Sequence, residues 1–163
     1  DISAIKIGEK MGIKDFALSF AHRESDLHEM RTLMSKDCKI ISKIECKNGG
    51  NNLDSILEVT DSILIDRGDL SRVVPMKKIP FAQKYILQKK TEYGVPAYVA
   101  TNLLENMIFA PEPTRAEVND IYNTLIDGAN GLVLAAETAI GNYPLECINM
   151  ISKVAKVYKK NHK

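Results

Sequence analysis

Apolar residues along this chain follow two rhythms. Short runs rich in Ile, Val and Leu, bounded by Gly, Pro, Asn or Asp, read as strands; apolar residues three and four apart read as helices. Ile2, Ile5, Ile7 and Met11 predict a helix ending at Gly12, followed by a short strand over residues 15–20. Leu27, Met30, Leu33 and Met34 lie at helical spacing within 26–34 and lead into an Ile-rich strand over 38–45 (CKIISKIE), which runs into a loop at the Asn-Gly-Gly-Asn-Asn cluster of 48–52. Leu53, Ile56 and Leu57 predict the next helix, with Asn51 or Asn52 as its cap, and residues 62–66 (SILID) a strand that stops in a turn holding Gly68. Ile79, Ala82, Ile86 and Leu87 mark a helix within 76–93, with Pro80 in its first turns and Gly94 at its end. A fourth strand covers 95–100. After Leu103 to Ile108 and a Pro-rich loop at 111–113, Thr114 and Glu117 form a capping box that opens another helix. Residues 131–135 form the fifth strand, and Cys147, Ile148, Ile151, Val154 and Val157 the final helix. Strands alternating with helices over short links predict an α/β fold with a parallel sheet and right-handed crossovers.

Charges enter this pattern at the strand ends. Strand side chains alternate in direction, so Lys43 and Glu45 point to one side, Ser42 and Ile44 to the other. The strand at 62–66 ends in Asp66, and Asp69 follows in Arg67-Gly68-Asp69. One ammonium and two carboxylates, Glu45 and Asp69, are thereby delivered by two adjacent strand ends. Carboxylates without a Cys or His cluster favour a hard cation, magnesium or manganese, over zinc. A phosphoryl group bridging such a cation and the Lys43 ammonium would balance all three charges. An exposed Lys43–Glu45 ion pair on a strand edge accounts for the same pattern, and such pairs contribute little. Spacing alone leaves both readings open.

Composition narrows the class only slightly. The chain has 163 residues, 45% of them apolar, enough for one buried core. With 22 basic and 21 acidic residues the net charge is +1, so bulk charge indicates neither nucleic acid nor a membrane surface as partner. Cys38, Cys46 and Cys147 are scattered and odd in number, which fits core residues of a reduced, cytoplasmic protein better than a disulfide framework. His22 and His28 have no metal-motif spacing and read as surface or satisfied positions. No apolar run approaches the roughly 20 residues that span a bilayer. The chain opens on Asp1 directly ahead of a helical pattern, which reads as a piece of something longer.

The segments IISKIE, RGDL, ATNLLENM, PTRAE and ETAIGNYPLE occur in this order across nearly the whole chain. In sequence and approximate spacing they resemble the pyruvate kinase family. The resemblance implies that residues 1–163 are a single partial barrel domain: five parallel β/α units like the C-terminal part of a (β/α)8 TIM barrel, following an inserted lid. The N-terminal half-barrel, the lid and the C-terminal domain would lie outside it, in a longer parent chain or a partner chain. The activity implied is phosphoryl transfer between phosphoenolpyruvate and ADP, giving pyruvate and ATP, in glycolysis. Lys43 would stabilise the transferring phosphoryl group. Glu45 and Asp69 would hold Mg2+ or Mn2+, with K+ in the complete enzyme. The amides around Gly68 and Asp69 would hold the substrate carboxylate, Thr101 would lie near the carbon that is protonated, and Phe20 would line the substrate. A cytoplasmic homo-oligomer is expected. Glu137 is expected near the site, where a structural hydrogen-bonding role is equally open.

Five positions depart from the family's usual pattern. Ala135-Ala136 stands where Ser-Gly usually precedes Glu-Thr-Ala, which removes a hydroxyl from a strand end and bears on proton delivery. Asp66 replaces a small residue before Arg-Gly-Asp, adding a third carboxylate that shifts metal affinity or pairs with Arg67. Asn102 stands for Gln, and Ser71 for Gly. Five strands cut from a barrel also leave two open edges and an uncovered apolar face, so the isolated chain is expected to be inactive. Two alternatives accompany this reading. A metal-dependent pyruvate aldolase or lyase would share the barrel and the carboxylate pair but has no need of Lys43, and a non-catalytic scaffold paralogue would need only the fold.

Overall fold

The computed structural model describes residues 2–162, which form two compact units, one up to Ala97 and one from Tyr98 onward. The fold is α/β, with parallel strands hydrogen-bonded in chain order, β1 to β5. No described helix is long and apolar enough to cross a membrane.

In the first unit, α1 (Ile2–Lys10) precedes β1 (Asp15–Leu18), α2 (Glu24–Leu33), β2 (Lys39–Ile44), α3 (Lys47–Asn51), α4 (Leu53–Val59), β3 (Ser62–Asp66), α5 (Arg67–Val73) and α6 (Ile79–Glu92). Strand β2 lies between β1 and β3, pairing Leu18 with Ser42 and Ile44 with Ile65. Its alternation is as expected: Ile40, Ser42 and Ile44 are buried, while Ile41 and Lys43 on the opposite face are half-buried. Ile40, Ile44, Ile56, Ile63, Ile65 and Leu87 exclude water completely, each burial being worth about 1.5–3 kcal/mol. The buried Ser42 hydroxyl is satisfied by Thr60 Oγ1 at 2.8 Å.

Several expectations change here. The Asn-Gly-Gly-Asn-Asn cluster, expected as a loop, is mostly the short helix α3. Its composition disfavours helix, but Cys46 Sγ accepts from the Gly49 amide at 3.4 Å, and a Cβ on Gly49 would meet the Ala21 carbonyl oxygen at 2.5 Å. Close approach to another segment thus selects glycine and overrides propensity. Asn52 takes the N-cap position of α4 but makes no cap bond, because its amide donates to the His22 carbonyl at 2.8 Å. The turn expected around Gly68 is the first turn of α5, which leaves β3 directly with Asp66 as its cap. In α1 only Ile5 and Gly8 are buried, whereas Ile2, Ile7 and, just past the helix, Met11 are exposed, so that apolar stripe is not covered by the described residues.

In the second unit, β4 (Ala97–Ala100), whose first residue belongs to the first unit, leads to a 3-10 turn (Glu105–Ile108), α7 (Arg115–Ile126), β5 (Gly131–Val133), α8 (Ala136–Ala139) and α9 (Pro144–Asn161). Tyr98 pairs with Gly131 and Ala100 with Val133. Leu103, Leu104, Met107, Ile121, Leu125, Cys147 and Val154 form the core. The capping box of α7 is present as expected: Thr114 Oγ1 accepts from the Glu117 amide at 3.2 Å, and Glu117 Oε2 accepts from the Thr114 amide at 2.7 Å.

Candidate functional site

The register of β2 against β3 builds the site. Because Ile44 pairs with Ile65, the next residues on each strand, Glu45 and Asp66, leave the sheet side by side. Alternation then puts Lys43 on the same side as both. Lys43 Nζ lies 2.8 Å from Glu45 Oε2 and 3.2 Å from Asp66 Oδ2. The Glu45 side chain is wholly buried and that of Lys43 only 21% exposed, on a strand paired along both sides. An exposed edge pair is therefore excluded.

Asp69 joins the cluster from the first turn of α5. Oxygens of Glu45, Asp66 and Asp69 lie within 4.8 Å of one another, the spacing of a cation's ligand set. The Lys43 ammonium faces two of the three carboxylates, Glu45 and Asp66. Arg72 Nη1 reaches Asp69 Oδ1 at 3.3 Å, but its side chain is 80% exposed and screened by water. Burial pulls the Lys43 ammonium down, the Glu45 and Asp66 carboxylates more than offset this, and its pKa lies above the ordinary lysine value.

Individual hydrogen bonds orient these groups. Glu45 Oε1 accepts from the Phe20 amide at 2.7 Å. Glu45 Oε2 is buried and faces the Lys43 ammonium at 2.8 Å. Carboxylate oxygens gathered this closely, with no Cys or His among them, are the donor set that suits a hard divalent ion. Asp66 Oδ1 caps α5, accepting from the Asp69 amide at 3.3 Å. The Gly68 carbonyl accepts from Ser71 Oγ at 2.7 Å.

The structure thus brings together Lys43, Glu45, Asp69, Gly68 and the backbone of Phe20. Phe20 is 51% exposed and its φ is +51°, a left-handed conformation that ends β1 before Ser19 and Phe20, which were expected within the strand. One contact was missed, that of the Phe20 amide. Asp66, read as a third carboxylate that shifts metal affinity or pairs with Arg67, stands in the cluster and contacts Lys43. Its position three residues before Asp69, at a helix start, is the signal that could have marked it as a cap. No sequence signal links the Phe20 amide to Glu45, 25 residues away.

Thr101 lies in the second unit, just past β4, with φ +71°, and Asn102 follows at +54°. A β-branched residue at positive φ is strained by about 1–3 kcal/mol, a cost concentrated at functional sites. Thr101 Oγ1 donates to the Ala100 carbonyl at 2.5 Å, and its amide to Val133 at 3.4 Å. Glu137, only 1% exposed, accepts from the amides of Leu103 (3.2 Å), Leu104 (3.1 Å) and Ala135 (2.8 Å). Its carboxylate therefore stitches the backbone after β4 to that after β5. Cys46 is half-buried and acts as a helix cap.

Residues 1–148 match the family model described as "Pyruvate kinase, barrel domain". The chain is 41% identical over 165 residues to a pyruvate kinase of Methanocaldococcus jannaschii, covering 99% of the chain and 37% of that relative. It is 44% identical over 163 residues to one of Thermotoga maritima, covering 98% and 35%, and 42% identical over 159 residues to one of Dictyostelium discoideum, covering 96% and 31%. The chain spans about a third of the length of these relatives. With a family-model match over residues 1–148 and relatives 41–44% identical across nearly its whole length, the chain belongs to the pyruvate kinase family.

Proposed function

We propose that this chain supplies the metal and phosphoryl clamp of an enzyme that transfers a phosphoryl group between phosphoenolpyruvate and ADP. The observation that carries the proposal is the buried cluster in which the Lys43 ammonium lies 2.8 Å from Glu45 and 3.2 Å from Asp66. Lys43 is the group that neutralises the transferring phosphoryl oxygens, held charged by the carboxylates beside it. Glu45 and Asp69 hold Mg2+ or Mn2+. When bound, that cation supplies Lewis-acid polarisation of the phosphoryl oxygens. The Phe20 amide fixes the Glu45 carboxylate, while Gly68 and Asp69 bring backbone close to the substrate carboxylate. Thr101 orients groups at the carbon that is protonated, on a backbone whose positive φ supports such a role.

The same reading extends to the complete protein. There the remaining strands close the barrel beside β1 and β5, a lid covers the nucleotide, and K+ assists at residues outside this chain. It acts in the cytoplasm as a homo-oligomer, in glycolysis, and the isolated chain turns over no substrate. A carbonyl-polarising aldolase has no use for an ammonium held between two carboxylates, which favours the phosphotransferase.

The test is Lys43→Met in the complete protein. Phosphoryl transfer should fall by about 100-fold or more, since removing one preorganised charge-stabilising group costs on that order, while Mn2+ binding persists. An undiminished rate would remove Lys43 from this role.

A further inference from the structure

The backbone that carries Thr101 is held from a second strand end. Thr101 and Asn102 are consecutive left-handed residues, with φ of +71° and +54°, directly after β4. Such a conformation persists in non-glycine residues only where the surroundings over-determine it. On the side of β5, the Val133 carbonyl accepts from the Thr101 amide at 3.4 Å. Beyond the pair, Glu137 Oε1 accepts from the amides of Leu103 at 3.2 Å and Leu104 at 3.1 Å, and Glu137 Oε2 accepts from Ala135 at 2.8 Å. One carboxylate thereby ties the two residues after the strained pair to the segment that leaves β5. Its own backbone is fixed, since Gly141 packs on Glu137 where a Cβ would strike the carbonyl oxygen. Glu137 is 1% exposed and Leu103 and Leu104 are fully buried, so water does not compete for these amides.

We propose that Glu137 is a positioning residue for Thr101, holding the strained backbone that places Thr101 beside the carbon that is protonated. The inference rests on the reading of Thr101 given above and deepens it. In this role Glu137 acts through the peptide units that follow Thr101, to which its oxygens are turned. All three partners are N–H donors, so the position calls for a group that accepts on both atoms; a carboxylate does, and an amide side chain does not. Bonds to an ionised acceptor are also roughly twice as strong as neutral ones, which suits the task of holding two residues in a left-handed conformation. Loosening them lets the pair relax, and a displacement of about 1 Å costs on the order of 100-fold in rate. Protonation at carbon suffers first. The metal and phosphoryl clamp stands on β2, β3 and α5 of the first unit and shares none of these bonds.

The experiment separates the two halves of the reaction in the complete protein. Phosphoryl transfer is read as ATP formed from phosphoenolpyruvate and ADP. Proton transfer at carbon is read with pyruvate, whose methyl hydrogens are followed by proton NMR as they exchange with solvent deuterium: a C–H bond breaks to give the enolate, and a C–D bond forms as the carbonyl returns. Thr101→Val is the reference, because it removes the hydroxyl and leaves Glu137 in place. In Glu137→Gln we expect exchange to fall about tenfold or more and ATP formation to fall by less than about threefold. A merely structural carboxylate would lower the fraction of folded enzyme, which scales both rates alike. Parallel losses, a larger loss of ATP formation, or no loss in Glu137→Gln, with the split present in Thr101→Val, overturn the inference and leave the reading of Thr101 standing. Absence of the split in Thr101→Val overturns that reading and the inference with it. Glu137→Asp keeps the charge but withdraws it by one methylene, so it should show a split in the same direction, and it decides the matter if Glu137→Gln does not fold.

Discussion

Glu137 offers the sharpest test of how the second unit is held together. Its carboxylate is 1% exposed and accepts three backbone hydrogen bonds, from Leu103 and Leu104 on Oε1 and from Ala135 on Oε2. The core residues Leu103 and Leu104 are completely buried, so water does not replace a lost acceptor without disturbing the packing around them. Truncation to Ala orphans three donors at about 1–3 kcal/mol each. Such terms are not additive, and single-site losses above about 4–5 kcal/mol are exceptional, so the expected loss is about 3–4 kcal/mol. Glu137→Gln retains an oxygen for Leu103 and Leu104 but turns an amide donor toward the Ala135 amide. It loses one bond and the charge on the other two, about 2 kcal/mol. The readout is hydrogen exchange at the amides of Leu103, Leu104 and Ala135 in the complete protein. At 1.4 kcal/mol per factor of ten, protection should fall about 100-fold or more in the Ala variant, and in Gln less overall and most at Ala135. Equal protection in parent and Ala variant would refute the account. So would a Gln variant that loses protection at Leu103 and Leu104 but keeps it at Ala135.

The same carboxylate makes this region acid-sensitive. Burial pushes the Glu137 carboxyl up, but the amides of Ala135, Glu137, Leu104 and Leu103 together outweigh it, and the pKa lies below the ordinary glutamate value. Its stabilisation is therefore complete above the unfolded-state value of about 4.3 and is lost as pH falls through the lower folded value. Protection factors at Leu103 and Leu104 should stay flat from about pH 7 to 5 and drop in more acid solution, a step that Glu137→Gln should lack; a step of equal size in both proteins counts against it. At the first site, Gly49→Ala should destabilise by about 1–3 kcal/mol, because its Cβ would meet the Ala21 carbonyl at 2.5 Å, whereas Gly50→Ala, with nothing within 4 Å, should be neutral or slightly stabilising. Equal urea midpoints for the two variants would remove the close approach as the reason for glycine at position 49.

Much of the fold was legible in local pattern. Strand β3 has the bounds read from its apolar run, and β2 has the expected alternation, because a period of two places Ile40, Ser42 and Ile44 on one face whatever surrounds them. The box of Thr114 and Glu117 involves residues three apart and needs no distant partner. The helix at Lys47–Asn51 was not legible, since it depends on the Ala21 carbonyl lying against Gly49. Nor was the early end of β1, which follows from the left-handed backbone at Phe20.

The sequence alone determined that Lys43 and Glu45 share a side, that Asp69 follows the next strand, and that these charges stand where apolar runs stop. It could not separate an exposed ion pair from a buried clamp, since alternation specifies direction along one strand and says nothing of its neighbour. The tertiary structure decided that. Register against β3 set Asp66 beside Glu45, pairing along both sides of β2 removed the edge, and burial took the Lys43–Glu45 pair out of bulk water. Register is a long-range quantity, set by the packing of many side chains at once, and the chemistry of this site hangs on it.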